Sequence, residues 1–250
     1  MSFVRHASIM IAASAMLAAR TARSETITLP ASQDATLFES EFGDTASGAG
    51  NYLFAGTTAQ DFIRRGLVQF DLSRLPIDAA ITGAHVRLHM SRTATAGVVI
   101  DLHRVTRTWS EGPSVPFAEE GAGVPAEPGD VTWLHTRFDW DAPEYWERAG
   151  GDFIDVPSAS TIVYGNGFYE WHDPQLAHDV RLWAKEPLSN AGWAVLGEES
   201  TPQTAKRFDS RTHPDETVRP QLVIEFVRIP EPSGLILVAV AVLSMARARL

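Results

Sequence analysis

Apolar and polar residues alternate along much of the interior of this 250-residue chain with the two-residue period of a half-buried β-strand. Ala84, Val86, Leu88 and Met90 fall on one side of such a strand, and His85, Arg87 and His89 on the other. Leu222, Ile224 and Phe226 repeat the pattern near the end. Similar runs predict strands over residues 26–29, 36–39, 52–55, 62–72, 81–90, 98–108, 160–164, 192–196, 205–211 and 221–227. Gly, Pro, Asn and Asp clusters bound them, because these residues favour turns. One segment follows a helical period instead. Asp173 can cap, Pro174 suits the first helical position, Leu176, Val180 and Trp183 share a face, and Pro187 stops the helix. Residues 111–130 show neither period and hold four prolines and four glycines, which predicts a surface loop. The whole pattern predicts one all-β domain, a jelly-roll type β-sandwich with one short helix.

The two ends depart from this pattern and read as processing segments. Residues 1–24 carry Arg5, an apolar stretch from Ala7 to Ala19, and Ala22-Arg23-Ser24 as a small-residue cleavage site. Thirteen apolar residues suit a signal-peptide helix and fall short of the ~20 needed to span a bilayer. Residues 229–250 hold Pro230-Glu231-Pro232, an uncharged run from Gly234 to Ala246 and then Arg247 and Arg249. Such a run forms an apolar helix that stops in a membrane with its arginines inside, again too short for a lasting span. This order of motif, apolar helix and basic end resembles the PEP-CTERM sorting signals of Gram-negative bacteria. The resemblance implies export through the inner membrane and a transient encounter there with an exosortase-type enzyme that removes the tail. It places the mature protein outside the cell or on its surface.

Charge narrows the partners. Between the two ends, residues 25–230 hold 16 Lys and Arg against 30 Asp and Glu, near −14 overall. That balance argues against nucleic acid, which needs a basic footprint. It suits neutral glycans, or acidic ones bridged by calcium. Cysteine is absent, which excludes disulfides, a thiolate nucleophile and Cys-based zinc sites.

The aromatic residues carry the most chemistry. Trp133, Trp140, Tyr145 and Trp146 lie within 14 residues among Asp130, His135, Asp139, Asp141 and Glu144, and Trp109 ends the preceding strand. A sugar ring offers an apolar face edged by hydroxyls, so an aromatic plane flanked by carboxylates can receive it. These five rings are the candidate glycan platform, with pinning of a long loop against the sandwich as the structural alternative. A structural calcium ion is a further expectation, with Asp34, Glu39, Asp44 and Asp71 near strand ends and the ligand set unassigned. His85 and His89 share a strand face about 13 Å apart, too far to grip one ion. His103 can lie beside one of them, and a solvated strand face accounts for all three. Arg64, Arg65, Arg207 and Arg211 are expected to pair with Asp71 or Asp209. No Gly-x-Ser-x-Gly elbow is present, and thirty acids make close carboxylate pairs uninformative.

Several segments resemble the DNRLRE domain family of exported β-sandwich modules. They are Gly50 to Gly56, Arg64 to Leu72, Ala80 to Ala84, Asp130 to His135, Ala205 to Arg211 and Arg219-Pro220-Gln221-Leu222. They cover nearly all of residues 25–228 in order, with Thr212 standing where a glutamate is expected. The resemblance implies a jelly-roll fold and glycan binding, and it implies no catalytic residues. The expected function is a non-catalytic protein that binds or scaffolds extracellular polysaccharide. The alternatives are a structural matrix protein without a ligand and a polysaccharide-acting lyase or glycosidase.

Overall fold

A computed structural model describes residues 23–228. The signal helix expected over 1–24 falls almost wholly outside them, as does the sorting segment with Pro230, Glu231, Pro232, Arg247 and Arg249. Ten strands build the two main sheets: β1 (Ser24–Phe38), β2 (Tyr52–Thr57), β3 (Ile63–Phe70), β4 (Ala79–Thr93), β5 (Val98–Arg104), β6 (Ala159–Val163), β7 (Gly167–His172), β8 (Trp193–Leu196), β9 (Lys206–Asp209) and β10 (Gln221–Arg228). One helix, α1 (Pro174–Lys185), lies between β7 and β8. The fold is an all-β sandwich.

Every strand pairing is antiparallel. In the first sheet β4 is central, with β7 on one side and β10 followed by β9 on the other. β10 pairs onward with β1 and β9 with β2. The second sheet runs β1, β3, β8, β5, β6. β1 therefore serves both sheets: residues 24–30 pair with β10, and residues 31–38 pair with β3 after an irregularity at Ala31–Gln33. β2 crosses in the same way, joining β9 first and then β3 at Gly56 and Thr57. Gly56 sits at φ 109°, and a Cβ there would lie 3.0 Å from the Ala205 Cα, so glycine suits this crossing. Two expected strands, 26–29 and 36–39, are thus one strand, half-exposed in the first sheet and buried on both faces over residues 34–38 in the second. β7 is an additional strand, outside those that the alternation predicts.

The main core lies between the sheets and includes Val68, Phe70, Val86, Leu88, Met90, Leu102, Trp171, Trp193 and Phe208. Helix α1 forms as its sequence predicts. The Asp173 carboxylate accepts from the Gln175 N–H at 2.8 Å, and Leu176, Val180 and Trp183 are buried. Trp183 meets Trp193 edge-on at 4.5 Å, which closes one end of the core. A second cluster covers the outer face of the second sheet, where Leu37, Leu67 and Ala194 receive Val105, Trp109, Val131, Trp133 and Trp146. β3 is consequently buried on both faces over Gly66–Val68, with Leu67 turned to the second cluster and Val68 to the main core.

Candidate functional site

The connection between β5 and β6 carries the surface chemistry. Its backbone is held by carboxylates that accept amide hydrogens. Asp130 receives Glu127 N–H at 2.7 Å and Ser114 N–H at 3.2 Å, and Asp152 receives Glu147 and Arg148 N–H at 2.8 and 3.0 Å. Glu120, pushed upward in pKa by burial, receives Tyr52 N–H at 3.0 Å. Six carboxylates (Asp34, Glu120, Asp130, Asp152, Asp179 and Asp209) are buried, so part of the acidity serves the fold and not the surface.

The five aromatic residues of the expected platform separate into two groups. Trp109, Trp133 and Trp146 are buried in the second cluster. Trp109 Nε1 donates to the Ala191 carbonyl at 2.9 Å and Trp146 Nε1 to the Thr132 carbonyl at 3.0 Å, while Trp133 lies under the Arg65 guanidinium at 4.9 Å. These rings pin the loop, and their faces are closed to a ligand. Trp140 is 72% exposed and Tyr145 is 54% exposed. Tyr145 lies on a short hairpin in which residues 135–137 pair with Glu144–Tyr145, and Trp140 lies in its loop. A row of rings joins them: Trp140 meets Phe138 at 4.8 Å, Phe138 meets His135 at 5.3 Å, and His135 meets Tyr145 at 4.6 Å. Trp140 and Phe138 line a groove of about 500 Å³ together with Asp44, Thr45, Gly123 and Pro125. All six other tryptophans of the chain are buried.

A second concavity, about 330 Å³, lies across the 119–124 loop and is lined by Phe54, Arg64, Arg92, Glu119 and Arg207. Glu119 bridges Arg92 and Arg207, and Arg207 stacks on Tyr52 at 3.9 Å. Arg64 bonds the carbonyls of Gly121 and Ile63 and lies over Phe38 at 4.8 Å, and burial lowers its pKa to about 10, so it stays charged. Three arginines and one glutamate line the cleft, with Glu39 beside Arg64 and Glu120 beside Arg207. The expected arginine pairings with Asp71 and Asp209 are replaced by others: Arg65 with Glu199, Arg207 with Glu119 and Arg211 with Glu111. Those partners sit on loops that fold over the strands.

Asp34, Glu39, Asp44 and Asp71 do not converge. Asp34 accepts from Arg211 N–H, Glu39 from Ile63 N–H, Asp44 from the Ser40 hydroxyl and Asp71 from Ser73, each in its own segment. They form no shared oxygen cage for a hard cation. His103 lies on β5 in the second sheet, bonded to the Ile154 carbonyl at 2.8 Å, away from His85 and His89. His89 Nδ1 is 2.5 Å from Asp209 Oδ2, and its ring packs on Phe168 at 4.7 Å.

One comparison bears on these surfaces. Residues 25–113 match carbohydrate-binding module family 96. No curated protein matches the chain. The matched stretch runs from β1 into the loop after β5 and supports a carbohydrate-binding β-sandwich module. It supplies Asp44 and Thr45 to the Trp140 groove, and Phe54, Arg64 and Arg92 to the arginine cleft.

Proposed function

We propose that the protein is an exported, non-catalytic module that holds extracellular polysaccharide, with Trp140 as the stacking platform. The exposure of this one tryptophan, against the burial of the other six, carries the reading. An indole face open to water costs hydration free energy and gives nothing to the core, whereas it matches the apolar face of a sugar ring. Asp44 and Thr45 line the groove beside Trp140 and offer oxygens to ring hydroxyls. Tyr145, at the other end of the aromatic row, extends the platform along a chain of several sugars. The likeness to carbohydrate-binding module family 96 favours binding over catalysis.

The arginine cleft favours a second reading, in which an acidic sugar is held without calcium. Charge summed over the domain points to neutral glycans, but a ligand feels the nearest charges most strongly. A panel of neutral and uronate polysaccharides, titrated with and without calcium, tests both. Trp140→Ala should weaken binding of the preferred neutral glycan at least about tenfold, with Tyr145→Ala smaller, since exposed anchors dominate such interfaces. Arg92→Ala with Arg207→Ala should weaken only acidic glycans. Undiminished binding in Trp140→Ala overturns the platform.

Export rests on the two ends of the sequence and is part of the same proposal. The signal segment directs the chain outward, and Pro230-Glu231-Pro232 marks the tail for removal at the inner membrane. Replacing these three residues by alanine should leave the tail on the exported protein. Intact mass spectrometry would read its 22 residues, 229–250, as retained.

A further inference from the structure

The outer face of the first sheet holds a cluster that the glycan reading does not use. In the antiparallel register of β4 and β7, His172 lies directly opposite His85, and Glu170 opposite Arg87. The two imidazoles face each other at 4.4 Å between centroids, tilted by 32°. Glu170, two residues from His172 on the same side of β7, accepts from His172 Nε2 at 3.0 Å. One ligand atom from each of His85, Glu170 and His172 lies within 4.8 Å of the other two. Among the described residues this is the one group of three or more His, Asp or Glu side chains that converges so closely.

We infer that His85, Glu170 and His172 form a binding site for a borderline divalent transition-metal ion such as zinc, which clamps the edge strand β7 to β4. The donor set decides the class of ion. Two imidazole nitrogens and one carboxylate oxygen suit zinc or copper, whereas calcium and magnesium prefer oxygen alone. Two rings stacked in register have no hydrogen-bond partner in one another while both are neutral, and both being charged would repel. A cation at their shared edge, taking an in-plane nitrogen lone pair from each ring, turns that contact into a favourable one. Glu225, opposite Gly83 on β10, adds negative potential beside His85. Arg87 is drawn aside over Phe168 at 3.7 Å. His172 and Glu170 are exposed, so an ion can enter from solvent and keep water in its remaining positions.

The clamp has a structural use. β7 pairs only with β4 and leaves its other edge beside β6, where the Thr161 hydroxyl donates to the Glu170 carbonyl at 2.8 Å. Edge strands are the first to fray, and a two-strand metal bridge resists that.

The test is zinc titration of the full chain, without an affinity tag, by calorimetry and thermal unfolding in a non-chelating buffer near pH 7.5. Zinc at about a hundredfold excess over its Kd should raise Tm by about 5–10 °C. His85→Gln and His172→Gln should each abolish that shift, and Glu170→Gln should weaken binding about 10- to 100-fold. His178→Gln, on the exposed side of α1, should leave it intact. Calcium should give no shift through this site. A zinc-independent Tm in the parent chain, or equal zinc binding in the His85→Gln/His172→Gln double variant, overturns the proposal.

Discussion

Asp179→Ala should destabilise the domain by about 3–5 kcal/mol, lowering Tm by roughly 6–20 °C. Asp179 lies on the buried face of α1 and is completely inaccessible to solvent. One oxygen accepts from the Ser158 hydroxyl at 2.6 Å and from Trp193 Nε1 at 3.0 Å. The other accepts from Gln175 Nε2 at 3.1 Å and faces Arg104 Nε at 3.3 Å. This single carboxylate thus ties the helix to β8, to β5 and to the turn before β6. Alanine removes the acceptor and leaves two buried donors and a largely enclosed guanidinium without a partner. The cost of those orphaned groups exceeds that of the lost packing. Asp179→Asn keeps one acceptor oxygen and should cost less, about 1–3 kcal/mol. Chemical denaturation with an unchanged m-value would establish the difference. A loss under about 1 kcal/mol for the alanine variant would mean that water replaces the carboxylate.

The second large effect depends on pH. Asp34 is buried, and desolvation raises its pKa from 3.8 to about 8 despite the Arg211 N–H that its carboxylate accepts at 2.7 Å. Folding therefore takes up a proton on this group between the unfolded and folded values. Its contribution to stability is complete below about pH 4 and is lost as pH rises through about 8. Between pH 5 and pH 8 the loss amounts to about 3–4 kcal/mol at 1.36 kcal/mol per unit. Asp34→Asn is neutral throughout and can still accept the Arg211 N–H, so its stability should lack this component. The variant should gain on the parent by that amount from pH 5 to pH 8, measured by urea denaturation at each pH. Parallel pH profiles would show that Arg211, paired with Glu111, keeps Asp34 charged in the fold.

Strand β4 was legible because one of its faces packs in the core and the other meets solvent, so period two appears directly in the residues. β1 reads as two strands because polar residues and an irregularity lie where it passes between sheets, and its second half is buried on both faces and so shows no alternation. β7 escaped notice because it is an edge strand, with Phe168, Glu170 and His172 outward, and its alternation of Tyr169 and Trp171 spans only a few residues. Helix α1 was readable from its cap, its first-turn proline and its spacing, all of which are local.

The candidate surfaces were legible only in part. Sequence grouped five aromatic residues, and no spacing separates Trp140 from Trp146. Their separation follows from carbonyls and cations elsewhere: Ala191 for Trp109, Arg65 for Trp133 and Thr132 for Trp146. The arginine partners escaped for the same reason, since Glu199 and Glu119 lie on loops 134 and 88 residues from Arg65 and Arg207. On its own strand His85 has only one other histidine, His89, on the same face, at a distance that forbids a shared ion. Its partner His172 lies 87 residues away and arrives only through strand register.

By itself, then, the sequence determined the β-strand content, the helix, the absence of cysteine chemistry and the acidic balance, because each depends on residues near one another in the chain. Only the tertiary structure decided which tryptophan meets solvent, which arginines share a cleft and which histidines stand face to face. Exposure and cross-strand register are set by residues far apart in sequence, and no local pattern records them.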